Sequence, residues 1–278
     1  MNPLEALSLQ LAHSRAVLVG VEATQGSVPR ERGAWMAVFA NDVVGTIGGG
    51  HLELQAIGHA RQLLASATAP SPEQALQRYA LGPSLGQCCG GVVHLRFEPI
   101  TSADLPALRK RLSGALVPVA LFGGGHVGKA LVQVLARLPF AVHWIDSRDE
   151  IFPADLPTNV LCEHSDPVQA AVAELAAQSR VLIMSFSHAE DLDVVAACLL
   201  RQRQRADLPF VGLIGSKTKW ATFTHRLIER GFTAQELTHI TCPIGVSGIE
   251  GKEPEVIAVA VAAQLLQIHE PSSPPKTA

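Results

Sequence analysis

Aromatic side chains are scarce in this sequence, at 5% of 278 residues, and cysteines number only five. With so few rings, the cores must be built from Ala, Val, Leu and Ile, and hydrophobic residues make up 47% of the chain. The cysteines are scattered, with no C-x-x-C pair and no Cys/His group at zinc-finger spacing. That argues against a disulfide framework and against a structural zinc site. A basic excess is missing as well. The net charge is −3, and no Lys/Arg run forms a nucleic-acid footprint. The one basic cluster, "RQRQR" at Arg201 to Arg205, follows an apolar helical stretch and reads as its solvated end. No apolar run is long enough to span a membrane, so neither nucleic acid nor membrane is an expected partner. The start, "MNPLEALSLQLAHSRAVLVG", reads as an amphipathic helix and a strand rather than a signal peptide, and the expected location is cytoplasmic.

What is present divides into two textures. The length itself suggests two domains, or one large one. In the first, apolar runs at Ala16 to Val21 and Ala34 to Phe39 read as strands around a Gly- and Pro-containing loop. A short strand, "VVGTI", a helix over about Leu52 to Leu64 and the strand "GVVHLRFEPI" complete it. From "VPVALF" onward, strands and helices alternate, which predicts a parallel sheet covered on both faces. "DPVQAAVAELAAQ" reads as one of these helices, with Asp-Pro as its start signal. The expected fold is α/β: a C-terminal Rossmann-like parallel sheet with helices on both faces, preceded by a smaller α+β domain. The expected bounds are 1–100 for the first domain, 101–116 for a linker, 117–268 for the Rossmann-like domain and 269–278 for a disordered tail.

Candidate ligand residues cluster at three places. "LFGGGHVGKAL" follows a strand and opens a helix, and Gly123, Gly125 and Gly128 satisfy G-x-G-x-x-G, with His126 between them. Such glycines let a phosphate approach backbone N–H groups at a helix start. Asp146 ends the next strand, 18 residues beyond Gly128, where a carboxylate accepts a ribose hydroxyl in dinucleotide sites. Ser147 and Arg148 follow and suit an extra anionic group. The same glycines serve close packing in a Rossmann fold with no ligand. Later strand ends bring His188, which either orients a ligand or caps a helix, and Lys217, a phosphate contact or a surface lysine. Cys242 is either a ligand or a small buried apolar group. The third place is "GPSLGQCCGG", where Gln87, Cys88 and Cys89 sit in a glycine-rich turn. Thiolates there suit soft-metal contact or sulfur relay, or the two are small buried residues filling a tight turn; neighbouring side chains on an extended chain point opposite ways, so at most one of the pair faces a given pocket. Gln87 can donate or accept hydrogen bonds to a ligand edge, and Glu53 reads as a dipole partner in the first turn of its helix.

Seven motifs together resemble one family, the xanthine dehydrogenase accessory (maturation) proteins, XdhC. In order, they are "TQGSVPRERGAWMAV", "GTIGGGHLE", "LGPSLGQCCGG", "LFGGGHVGKAL", the "SH…DLD" strand end, "GLIGSKTKWATF", and "CPIG" followed by "EPEVIAVAVAAQLL". They run from about Thr24 to Leu266. Two departures stand out: related proteins often carry cysteine where His51 stands, and "MSFSH" replaces a Thr-His-Asp form. The resemblance implies a non-enzymatic protein that binds the molybdenum cofactor in its molybdopterin form. It would protect the cofactor during sulfuration by a cysteine desulfurase and hand it to apo-xanthine dehydrogenase. A homodimer is also among the expected associations. Under this reading Cys88 and Cys89 are the candidate metal or sulfur-relay contacts. The competing expectations are an NAD(P)-dependent oxidoreductase using Gly123 to Gly128, and a thiol redox sensor or persulfide carrier using Cys88 and Cys89.

Overall fold

The computed structural model describes residues 3–66, 71–82, 90–112 and 116–268. The chain divides into two compact units, Met1–Gly114 and Ala115–Ala278.

The first unit is built on an antiparallel sheet of five strands: β1 (Ala16–Gln25), β2 (Trp35–Val38), β3 (Val43–Gly45), β4 (Leu76–Ala80) and β5 (Val92–Ile100), in the order β3-β2-β1-β5-β4. Alternation along β1 explains how both faces are covered. Val17, Val19 and Val21 face one way, where they meet Leu52, Ala56, Ala60 and Leu63 of α2 (Gly50–Ala65). Ala16 and Leu18 face the other way, toward Leu7 and Leu11 of α1 (Pro3–Leu11) and Leu108 of α4 (Leu105–Leu112). A short α3 (Pro72–Ala75) opens with a capping box at Ser71.

The segment expected as a linker, 101–116, contains the helix α4. Residues 102–112 form a 3-10 turn and then α4, whose Leu105, Leu108 and Leu112 belong to the core of the first unit. The "LPALRKRL" segment carries an apolar stripe at i, i+3 and i+7, and burying it favours packing over spanning. The tail over 269–278 lies outside the described residues.

The second unit is the expected parallel sheet. Its strands are β6 (Val117–Phe122), β7 (Phe140–Asp146), β8 (Val160–His164), β9 (Arg180–Ile183), β10 (Phe210–Leu213) and β11 (Ile240–Thr241). Their order is β11-β10-β9-β6-β7-β8, and every pairing is parallel. One face is covered by α5 (His126–Leu135) and α9 (Pro254–Ile268) over Leu121, Trp144 and Leu182. The other is covered by α6 (His188–Arg205) and α7 (Lys217–Glu229) over Ala120, Phe122, Val181 and Val211. Gly231, at φ +87°, ends α7 as expected. A short α8 (Ala234–Leu237) leads into β11.

Two local readings change. Val168–Glu174 is a 3-10 helix and not an α-helix. Its late carbonyls have another partner: the Arg201 guanidinium donates to Val172 O at 2.7 Å, Ala173 O at 3.3 Å and Leu175 O at 2.8 Å. An α-helix would have offered such carbonyls to N–H groups four residues on. For the same reason "RQRQR" is not a uniformly solvated end. Arg201 continues the buried stripe of Val194, Val195 and Cys198, is only 5% exposed, and pairs with Asp207 at 2.7 Å.

Candidate functional site

In the second unit the chain begins at a central strand, β6, runs outward through β7 and β8, and then returns to lay β9, β10 and β11 on the other side. Ligands of such sheets bind at the carboxyl ends of the strands, where the order reverses, here between β6 and β9. The glycine loop sits at that point. Gly123 has φ +122°, and a Cβ on it would strike the Met184 carbonyl at the end of β9. A Cβ on Gly128 would strike the Gly123 carbonyl. These two glycines therefore join β6, β9 and α5 closely. Gly125 differs: it precedes α5, is exposed, and has open space where a Cβ would stand. His126 is exposed at the first position of α5.

Asp146 ends β7 as expected, but its carboxylate is fully engaged. It is 1% exposed. Oδ1 accepts from Arg148 N at 2.9 Å and Arg148 Nε at 2.8 Å. Oδ2 accepts from Gly124 N at 2.5 Å and Arg148 Nη2 at 3.0 Å. Burial by itself would raise this carboxyl, but the hydrogen bonds from Arg148 and the Gly124 N–H outweigh it and hold the group below the usual Asp range. The Arg148 guanidinium also lies 4.3 Å from the ring centroid of Phe186, which is 66% exposed just beyond β9. Ser147 Oγ donates to Glu190 Oε1 at 3.0 Å, and Glu190 Oε2 accepts from Phe186 N at 3.1 Å.

The next strand ends are tied by a second ion pair. Ser187, not His188, caps α6, accepting from Glu190 N at 3.2 Å. His188 is exposed, with its ring edge-on to Phe223 at 6.3 Å. Asp191, buried in the first turn of α6, accepts from Ser185 N at 2.7 Å and from Lys219 Nζ at 2.6 Å. Lys219 also donates to Ile214 O at 2.8 Å. One carboxylate and one ammonium thus join the ends of β9 and β10 through α6 and α7. Lys219 was not among the sequence candidates, and Lys217 is exposed at the first position of α7. The signal was the spacing: with Ser216 as cap, the third helical residue lies back over the turn, while the first points away.

Cys242 follows β11, half-buried beside this pair. Burial pushes its thiol up, the Lys219 ammonium pulls it down, and the Asp191 carboxylate pushes it up again. Ser185 Oγ, at the end of β9, is buried with no hydrogen-bond partner. Cys198 lies in the core, where burial drives its thiol up to about 12, so it is not a nucleophile or a metal ligand at neutral pH. Gln87, Cys88 and Cys89 lie outside the described residues. Among the described residues no group of three or more His, Cys, Asp or Glu side chains is arranged to hold a metal ion, and no helix is long and apolar enough to cross a membrane. In the first unit, Glu53 caps the loop before α2: its Oε2 accepts from Thr46 Oγ1 at 2.5 Å, Ile47 N at 3.0 Å and Gly49 N at 3.1 Å.

The chain matches known proteins along both units. Residues 119–265 match the family model described as the XdhC Rossmann domain, and residues 9–79 match the XdhC and CoxI family. YqeB, an uncharacterized protein of Escherichia coli (strain K12), is 25% identical over 265 residues, covering 95% of this chain. The chain spans only 45% of the length of YqeB. A solved structure from Bacillus halodurans, described as a xanthine dehydrogenase, shares the fold with a TM-score of 0.74 at 19% identity, covering 99% of this chain and 98% of that one. With more than half of its residues matched by the Rossmann-domain model alone, and the N-terminal model falling on the first unit, this chain belongs to the XdhC family.

Proposed function

We propose that this chain binds the molybdenum cofactor in its molybdopterin form, shelters it while its terminal sulfido ligand is installed, and delivers it to apo-xanthine dehydrogenase. The observation that carries this reading is the pair of family matches falling in order on the two units. The expected partners are that apo-enzyme, a cysteine desulfurase and a second copy of this chain, and no catalytic turnover by the carrier itself is expected. When bound, the cofactor contributes a phosphate, a pterin and a molybdenum held by a dithiolene.

The residues at the parallel sheet's carboxyl edge suit such a ligand. Gly125 leaves open room before α5, whose first-turn N–H groups have no partners within the helix and attract a phosphate. His126 and His188 begin α5 and α6 and are both exposed there. Ser185 Oγ, buried without a partner, has hydrogen-bonding capacity left for a polar ligand edge. Cys242, beside the Lys219 ammonium, is a soft donor. Lys217 adds an exposed positive charge.

The test is anaerobic co-elution of molybdenum cofactor with the wild-type chain and with Cys88→Ala, Cys89→Ala and Cys242→Ala variants. Retention by the wild type with loss in one variant supports the reading and identifies a ligand thiol. Retention by all four supports the carrier but moves the thiols to the sulfur step or the core. No retention by the wild type overturns it.

A further inference from the structure

A dinucleotide bound to a Rossmann unit needs two things at the end of the second strand. It needs a carboxylate free to accept the ribose hydroxyls, and a clear approach to the glycine loop. Here the fold provides the parts and then covers them. All four bonds made to the Asp146 carboxylate come from the chain itself, three of them from Arg148. Ribose hydroxyls are neutral donors, so they cannot compete with a guanidinium for that carboxylate on equal terms.

The approach is covered independently. Asp149–Ile151 turns as a short 3-10 helix after β7, and the Ile151 side chain lies against the glycine loop. A Cβ on Gly124 would come within 2.5 Å of Ile151 Cγ1 and 3.1 Å of Asp146 Oδ2. An isoleucine against Gly124, beside the Asp146 carboxylate, takes the room an adenosine ribose would need at that carboxylate. The same loop is fastened across the β6–β9 reversal, by Ser147 to Glu190 at 3.0 Å and by Arg148 on the Phe186 ring at 4.3 Å. His164 Nε2 lies 3.1 Å from the Ser147 carbonyl and fixes the loop from the β8 side.

We propose that Arg148 and Ile151 are specificity-determining residues that hold a latent dinucleotide groove shut, so that this Rossmann unit refuses nicotinamide dinucleotides. Arg148 withholds the carboxylate, and Ile151 fills the approach. Gly123 and Gly128 then serve packing between β6, β9 and α5, Gly124 meets Ile151 and Asp146, and the Gly125 side of the loop remains open to a ligand. Discrimination of this kind rests on what is built against the wrong ligand. The proposal does not depend on the carrier reading, and either can fail alone.

The test uses the full chain and NADH, followed by nicotinamide fluorescence, in the wild type, Arg148→Ala, and the double variant Arg148→Ala/Ile151→Ala. Circular dichroism checks that each is folded. The wild type is expected to show no binding up to about 1 mM. Releasing the carboxylate and the approach together tightens NADH binding by about tenfold or more, with the single variant between. Loss of function from structural damage would not produce this gain. NADH binding by the wild type as tight as by the double variant overturns the proposal. A folded double variant that still binds no NADH overturns it as well, because something other than these two residues then closes the groove.

Discussion

The two units solve the same problem, a sheet buried on both faces, with different materials. Among the described residues, all the buried charged ones, Asp146, Asp191 and Arg201, stand in the parallel unit. The antiparallel unit keeps its ion pairs on the surface, as in Arg96 with Glu22 and Arg111 with Glu98. Surface pairs of that kind contribute roughly 0–1 kcal/mol. Buried ones cost desolvation and add little net stability, but removing one partner is expensive. The parallel unit therefore places its charges where they fix geometry: Asp146 and Arg148 fix the loop after β7, Asp191 and Lys219 join β9 to β10, and Arg201 shapes the turn before β9. The first unit is held by aliphatic burial, and its polar side chains only trim the turns.

The sharpest way to break this contrast is to delete one key contact from each unit and follow unfolding in urea. Asp207→Ala leaves the Arg201 guanidinium, which is 5% exposed, with backbone carbonyls but no counter-charge, and is expected to cost about 3 kcal/mol. Phe97→Ala empties a fully buried ring site between the β1–β5 sheet and α2, at about 3–5 kcal/mol. Each should lower the midpoint of its own unit. Arg96→Ala, in a surface pair, should change stability by less than about 1 kcal/mol. If Arg96→Ala costs as much as Asp207→Ala, the contrast between buried and surface charge does not hold.

Acid separates the units by a smaller amount. Asp146 is held below its ordinary range because hydrogen bonds from Arg148 and Gly124 outweigh its burial, and Asp207 because of the hydrogen bond and charge of Arg201. A carboxyl whose folded value lies below its unfolded value contributes its full stabilisation above the unfolded value. It loses that contribution as pH falls through the folded one. The parallel unit is therefore expected to weaken on acidification from the ordinary Asp range downward. Asp146→Asn should be less stable than the wild type at neutral pH and should show a flatter acid limb. Urea midpoints measured from about pH 7 to about pH 3 check this, and an unchanged slope in the variant counts against a charged, paired Asp146.

Much of this architecture was legible in the sequence, and the rest was not for physical reasons. The β–α alternation after Val117, the strand ending at Asp146 and the helix stop at Gly231 all follow from local pattern. The N-terminal helix and strands followed from the same kind of periodicity. What escaped were contacts decided by distant side chains. The partners of Asp146 depend on how the chain turns after β7. The 3-10 form of Val168–Glu174 depends on an arginine far along the chain. Composition marked "RQRQR" as polar, but helical period places its first arginine inside. Of the candidate site, the glycine loop and Asp146 stood out, whereas Lys219 needed the cap at Ser216 to set which lysine turns inward. The cysteine turn at 88 and 89 was the most specific motif, and it lies outside the described residues.

The finest test of the contrast compares two residues that both sit near helix starts. Glu53 satisfies two backbone N–H groups and the Thr46 hydroxyl in the turn before α2. Glu53→Ala leaves those N–H groups to water and removes a first-turn carboxylate, so a loss of about 1–2 kcal/mol from the antiparallel unit is expected. Lys217 occupies a first turn as a cation, where the helix dipole disfavours it, and it is exposed. Lys217→Ala is expected to change stability by less than about 0.5 kcal/mol, or to raise it slightly. That outcome leaves Lys217 as the sequence reads it, a phosphate contact or a surface lysine. If Lys217→Ala instead destabilises the parallel unit as much as Glu53→Ala destabilises the other, the residue is structural and should be dropped from the ligand surface.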